Sequence, residues 1–389
     1  MKRIYLDYAG STPVDPRVKE AMGRYFEEVF GNPSSLHSVG REASEALEEG
    51  REKVASLVGA QANRNIVFTS GATEATNLAI KGITFRSKEK KHIIISAIEH
   101  ISVTNVCRFL QKQGFEVTEV PVDELGVVDL EALKETVTKE TALISVMYAN
   151  NEIGTIEPVK DIGEIARDSK VPFHCDATAV CGKVPINVQK ENIDLLTISS
   201  NDMYGPKGTG ALYINDGIRL EPLIHGGGQE RGLRSGTENL PNIVGMGVAA
   251  EIASKGMGKE SKRLIGLRDA LIKGVLDSIP ESYLNGHPEN RLPNNAHFRF
   301  SYIEGESIIL SLDMIGVSAA SGSACTSKTL EPSKCLIAIG LSHEEAHGSL
   351  QLTLGRSNTM EDVKYLVSNL PDIVKRLRAM SPLAPREES

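Results

Sequence analysis

Cys325 is the residue of this 389-residue chain whose surroundings point most directly to chemistry. It stands in Ser321-Gly322-Ser323-Ala324-Cys325-Thr326-Ser327, small and polar neighbours that leave a thiol solvated and open to a reaction partner. Cys107, on an apolar helix face, and Cys175, inside an apolar run, read instead as packing residues. With Cys181 and Cys335 the cysteines are odd in number and contain no CxxC pair, which argues against a disulfide framework and a structural zinc site. Asp176 closes the run His174-Cys175-Asp176. In an open α/β sheet the strand C-termini line the ligand crevice, so this carboxylate faces a cofactor or serves as a cap or ion-pair partner. Ser70-Gly71-Ala72-Thr73-Glu74 is a turn of small residues opening a helix. Free amides and the positive end of the dipole suit a phosphate there, although a bland connection reads the same way. The loop from Gly226-Gly227-Gly228 to Arg234-Ser235-Gly236-Thr237 offers two arginines and two hydroxyls for further phosphate contacts, or is a flexible glycine loop. Asn150-Asn151-Glu152-Ile153-Gly154 can orient a ligand or cap its own turn. His343-Glu344-Glu345-Ala346-His347 matches the H-E-x-x-H metal helix in form, but Gly348 stops the helix at once and no third ligand is evident, so a capped surface turn is expected.

These groups need elements to hold them. Residues 65–69, 91–96, 115–120, 141–147, 171–176 and 195–199 read as strands, apolar and β-branched enough to be buried on both faces. Between several of them lie helix signals. Asp15 before Pro16 is an N-cap for a helix stopped at Gly31, Gly114 closes a helix through Leu110, and Asp129 caps a segment through Lys134. Alternating strands and helices specify a mostly parallel, helix-covered sheet, hence an α/β class. After about residue 255 the pattern changes to a charged helical stretch, 259–277, the segment 297–302, a run at 350–354 that reads as a strand and a last helix near Glu361. The domain expectation is therefore a large α/β domain over 15–255 and a smaller α+β domain made of 1–14 and 256–389, which carries the Cys325 loop. A net charge of -8 without like-charge blocks speaks against nucleic acid as a partner. No apolar run approaches the roughly 20 residues that span a bilayer and no signal region opens the chain, so a soluble, cytoplasmic protein without membrane contact is expected.

Taken together, the motifs resemble those of the NifS/IscS-like cysteine desulfurases, pyridoxal-phosphate enzymes of the aspartate-aminotransferase fold. The likeness runs through Asp7-Tyr8-Ala9, Gly31-Asn32-Pro33-Ser34-Ser35 with His37, Thr69-Ser70-Gly71-Ala72-Thr73-Glu74, Glu99-His100, Asn150-Asn151-Glu152-Ile153-Gly154, Tyr204-Gly205-Pro206-Lys207-Gly208, Arg234-Ser235-Gly236-Thr237, Ser323-Ala324-Cys325 and Leu354-Gly355-Arg356. It implies that Ala72, Thr73 and Ser199 hold the cofactor phosphate, with Thr237 reaching in from the second subunit of a homodimer. Asn201 occupies a cofactor-binding position. His100 would stack on the ring, Asp176 would pair with its nitrogen, and Asn151 and Arg356 would hold the carboxylate of L-cysteine. Cys325 would take the substrate sulfur as a persulfide and pass it to an IscU-like iron–sulfur scaffold protein. It is also a candidate ligand to a [2Fe-2S] cluster shared with that scaffold.

Three positions depart from the family pattern: Asn201 stands for its histidine, Asp202 for its lysine and Ala179 for its glutamine. Where it has Ser-x-His-Lys, the lysine tethering the cofactor, this chain has Ser199-Ser200-Asn201-Asp202, so the covalent tether is absent at that site. Lys207 has its own counterpart in the family and is not a replacement. The glutamine expected three residues after Asp176 is Ala179. The expectations are a desulfurase-like sulfur transferase that holds pyridoxal phosphate noncovalently or, alternatively, a non-catalytic assembly partner contributing Cys325.

Overall fold

The computed structural model describes residues 3–87, 89–321 and 332–384. After the short strand β1 (Ile4–Tyr5), helices α1 (Pro16–Glu27) and α2 (Ser38–Val58) lead into the main sheet. The Asp15 carboxylate accepts the Arg17 amide and caps α1, but the helix ends at Glu27, short of the Gly31 stop expected from sequence. The main sheet is built from β2 (Ile66–Thr69), β3 (His92–Ser96), β4 (Glu116–Val120), β5 (Thr141–Ser145), β6 (Phe173–Asp176), β7 (Leu195–Ser199) and β8 (Gly210–Ile214). Its order is β2-β8-β7-β6-β5-β3-β4. All neighbours are parallel except β8, which runs antiparallel between β2 and β7.

The expected six strands all form, and the reason they read as continuous apolar runs is visible in the packing. Ile94, Ile144, Phe173, Leu196 and Ile198 face one core, while Ile93, Ile95, Leu143 and Leu195 face the other, as the two-residue period of a strand requires. Helices α3 (Ala72–Arg86) and α4 (Ile101–Gln111) cover the second face. The first is covered by α2, by α5 (Leu130–Thr136) and α6 (Val159–Ser169), and by the first half of α7 (Leu240–Ser278).

Helix α7 has 39 residues and runs unbroken through position 255, so the helix expected at 259–277 begins far earlier, at Leu240. Its Leu264, Leu267, Leu271 and Val275 pack in a second core with a three-stranded antiparallel sheet. That sheet contains β9 (Ser282–Asn285), β10 (Asn295–Phe300) and, after α8 (Gly305–Met314), β11 (Val317–Ser318), α9 (Lys334–Ala338) and α10 (His343–His347), the strand β12 (Ser349–Thr353). Helix α11 (Met360–Met380) closes this core through Leu366 and Leu370. Strand β1 pairs with β11, so Ile4 and Leu6 belong to the second core. No helix among the described residues is long and apolar enough to cross a membrane.

Candidate active site

A cavity of about 440 Å³ opens at the C-terminal ends of the parallel strands, where the second core meets the first. The turn after β2 forms one end of it. Gly71 caps α3 at φ 152 with no side-chain cap, so the first-turn amides of Ala72 and Thr73 have neither a helical carbonyl nor a side chain to bond. An added Cβ on Gly210 of the neighbouring β8 would come within 2.6 Å of the Gly71 carbonyl carbon, so glycine lets the strand pass directly under this turn. Glu74 fixes the turn from outside: one oxygen accepts the Ser70 amide at 2.8 Å and the other binds Arg234 Nε at 2.9 Å. The loop containing Arg234 is thereby tied to the turn, while Thr237 is exposed and lies off the cavity wall of its own chain.

Asp176, at the end of β6, forms the floor. Its Oδ1 accepts the Thr178 amide at 3.0 Å, and among the described residues no cation lies within ion-pair distance. Beneath it His174 bridges Ser145 Oγ at 2.8 Å and Thr197 Oγ1 at 3.0 Å, and burial lowers its pKa to about 4. His100 stands at the N-cap of α4, where its Nδ1 accepts the Ser102 amide, and presents its ring to the cavity. Asn151 lies on the opposite side, its carbonyl accepting Gln351 Nε2 at 2.6 Å across the junction of the two cores. Ser199, Asn201, Asp202 and Ala179 complete the wall. Asn201 turns its side-chain oxygen toward Ser11 Oγ and the Thr12 amide. Burial raises the pKa of the Asp202 carboxyl, opposed by the charge of Lys183 and by hydrogen bonds from Ser199 and Asn201.

Ala72, Thr73, His100, Asn151, Asp176, Ser199 and Asn201 thus share one cavity. Arg356 does not join them. Its Nη1 binds Asp15 Oδ2 at 2.6 Å and its guanidinium lies 4.0 Å from the Tyr204 ring centroid, lining a separate cavity of about 890 Å³. Lys207 is exposed and donates to the Thr12 carbonyl at 2.9 Å, away from the cavity. Cys325 lies outside the described residues, and so does the question of a cluster bound to it. The other four cysteines are buried and free. Helix α10 is a single capped turn in which Glu345 folds back on Ser342, and among the described residues no group of three metal-ligating side chains forms there or elsewhere. Sequence reasoning missed Lys183, which lines the cavity beside Asp202, and Asn294, Asn295 and Thr353 from the second core. The only sequence signal for Lys183 was its position seven residues past Asp176, directly after a glycine.

The model of the aminotransferase class-V family matches residues 4–366. The chain belongs to that family. It is 58% identical over 383 residues to cysteine desulfurase IscS 1 of Archaeoglobus fulgidus, covering 98% of this chain and 100% of the relative. A solved NifS-like protein superposes with a TM-score of 0.91 at 37% identity, covering 97% of this chain and all of the other. SspA, solved in complex with cysteine, gives a TM-score of 0.81 at 37% identity over 91% of this chain and 99% of its own. These likenesses place the chain among the cysteine desulfurases, a pyridoxal-phosphate-dependent group with the fold seen here.

Proposed function

We propose that this chain is a cysteine desulfurase-type sulfur transferase that binds pyridoxal phosphate without a lysine at position 202 and takes sulfur from L-cysteine onto Cys325 for delivery to an iron–sulfur scaffold protein. The observation that carries the reading is the conjunction, in one cavity, of uncapped amides at the start of α3 with an unpaired buried carboxylate at the end of β6. The residues present fit the cofactor. The α3 amides suit a phosphate dianion, Asp176 suits a protonated ring nitrogen, and the buried Thr178 Oγ1 beside it has no protein partner and is free to bond a ligand. Pyridoxal phosphate supplies an electron sink next to the substrate carbon.

The protein's residues do the rest. Ala72, Thr73 and Ser199 would anchor the phosphate, with Thr237 of a second subunit completing the site, and His100 would lie against the ring. Asp176 would keep the ring nitrogen protonated, and Asn151 would orient the cysteine carboxylate. Arg356 would share that carboxylate once it leaves Asp15. The Cys325 thiolate would attack the sulfur of L-cysteine to form a persulfide as the substrate's C–S bond breaks, its electron pair staying with the carbon, which takes up a proton and leaves as alanine. SspA was solved with cysteine, which supports cysteine as the substrate. The buried Asp202 carboxyl favours the second reading, in which the chain serves as a non-catalytic assembly partner and Cys325 accepts sulfur or binds a cluster on the scaffold.

The deciding measurement is sulfide released from L-cysteine by the purified protein with added pyridoxal phosphate, beside Cys325→Ala and Asp202→Lys variants. Release from the wild type above the Cys325→Ala control is expected, with an increase in Asp202→Lys. Release in the lysine variant alone would remove turnover from the native chain and leave the assembly role.

A further inference from the structure

Of the three positions where this chain departs from the family pattern, Ala179, Asn201 and Asp202, two hold a further residue through their backbone carbonyls. Lys183 Nζ donates to the Ala179 carbonyl at 3.0 Å and, at a longer 3.4 Å, to that of Asp202. Among the described residues these are its only hydrogen-bond acceptors, so one of its three donors is left over. Lys183 is also the one lysine among the residues lining the cavity that holds Asp176, Thr73 and His100. The chain is built to bring it there. Gly182 takes a left-handed φ of +73, and an added Cβ would meet Ala253 Cβ on α7 at 3.1 Å. A glycine at 182 therefore lets the turn press against α7 and deliver the next side chain into the cavity.

We propose that Lys183 replaces the missing lysine as the amine that holds pyridoxal phosphate covalently. This rests on the proposed function, in that it needs the cavity to accept the cofactor. The neutral Nζ adds to the aldehyde carbon, the carbonyl oxygen leaves as water with both amine hydrogens, and a C=N bond remains; no oxidant or reductant enters. Ala179 lines the same cavity as Lys183 and carries only a methyl group there, where a glutamine would project from the same wall. Burial also lowers the lysine's pKa, against the opposing charge of Asp202, which enlarges the share of neutral amine.

The test is trapping followed by peptide mapping, with cofactor retention measured separately. The full-length protein is incubated with pyridoxal 5′-phosphate, reduced with borohydride, digested and analysed by mass spectrometry, and retention is followed by equilibrium dialysis. The expected result is a phosphopyridoxyl group on Lys183 at near-stoichiometric level. Lys183→Arg, which keeps the positive charge, should lose at least tenfold of the label yet still retain cofactor, and Asp202→Lys should move the label to position 202. Retention without a reducible bond, or label scattered over surface lysines and unchanged in Lys183→Arg, would overturn the assignment while leaving the proposed function intact. Absence of retention in the wild type would overturn both.

Discussion

Glu99, next to His100, offers a quantitative test of how this site is built. Its Oε1 accepts Ser96 Oγ at 2.6 Å and the Met147 amide at 2.8 Å, while its buried Oε2 has no partner. Burial pushes its pKa up to about 8, with Asp176 and Glu157 adding to the rise. The folded protein therefore holds a proton that the unfolded chain releases above about pH 4.5. A raised folded pKa means that stability is fully present below the unfolded value and is lost as pH climbs toward 8. Between pH 5 and pH 8 the loss works out at about 3.5 kcal/mol for this one group. For a chain of this length that is about 4 °C in the unfolding midpoint. Glu99→Gln keeps an oxygen for Ser96 and Met147 and cannot ionise. It should match the wild type near pH 5 and unfold about 4 °C higher at pH 8, as read by thermal scans across that range. Parallel curves for the two proteins would refute the reasoning, because they would mean that Glu99 is already ionised in the folded state at neutral pH.

Two further outcomes follow from buried and shared charges. Arg51 and Glu230 form a bidentate pair at 2.7 and 2.9 Å with both side chains almost fully buried, and Glu230 also accepts the Phe68 amide. Glu230→Ala leaves the buried guanidinium with only Glu48 at 3.0 Å and the Ile66 carbonyl at 2.9 Å, and a loss of about 3 kcal/mol, or about 4 °C, should appear in the same scans. Arg356 is held away from the cavity by Asp15, so Asp15→Asn, which keeps the α1 cap, should tighten L-cysteine binding about fivefold in calorimetry with cofactor present. Unchanged affinity would show that Arg356 takes no part in holding the carboxylate.

The sequence was most legible where burial imposes a period. Six of the seven main strands stand out as apolar runs because helices cover both faces of the sheet, and the Asp15 and Asp129 caps announce α1 and α5. Strand β8 escaped because it follows Gly205 and Gly208 and opens on Gly210, which is glycine to clear the Gly71 turn rather than to end a strand. The length of α7 was hidden by Gly256 and Gly258, which sit with open space around them and signal a break that the helix does not make. At the site, strand-end residues such as Asp176 were readable from topology. Arg356 was not, because its ion pair with Asp15 joins positions 341 residues apart in sequence. Lys183 was invisible for a related reason: spacing along a turn does not tell which side chain points inward.

Asp202 and Lys183 line both the cavity that holds Asp176 and the larger neighbouring space beside Arg356. A residue with a void on each side can change length or sign without jamming a neighbour, because little packing is forfeited and none must be rebuilt. That makes position 202 an unusually permissive place to exchange an amine for a carboxylate. One codon would place a lysine at position 202, with a cavity on either side to receive the longer side chain.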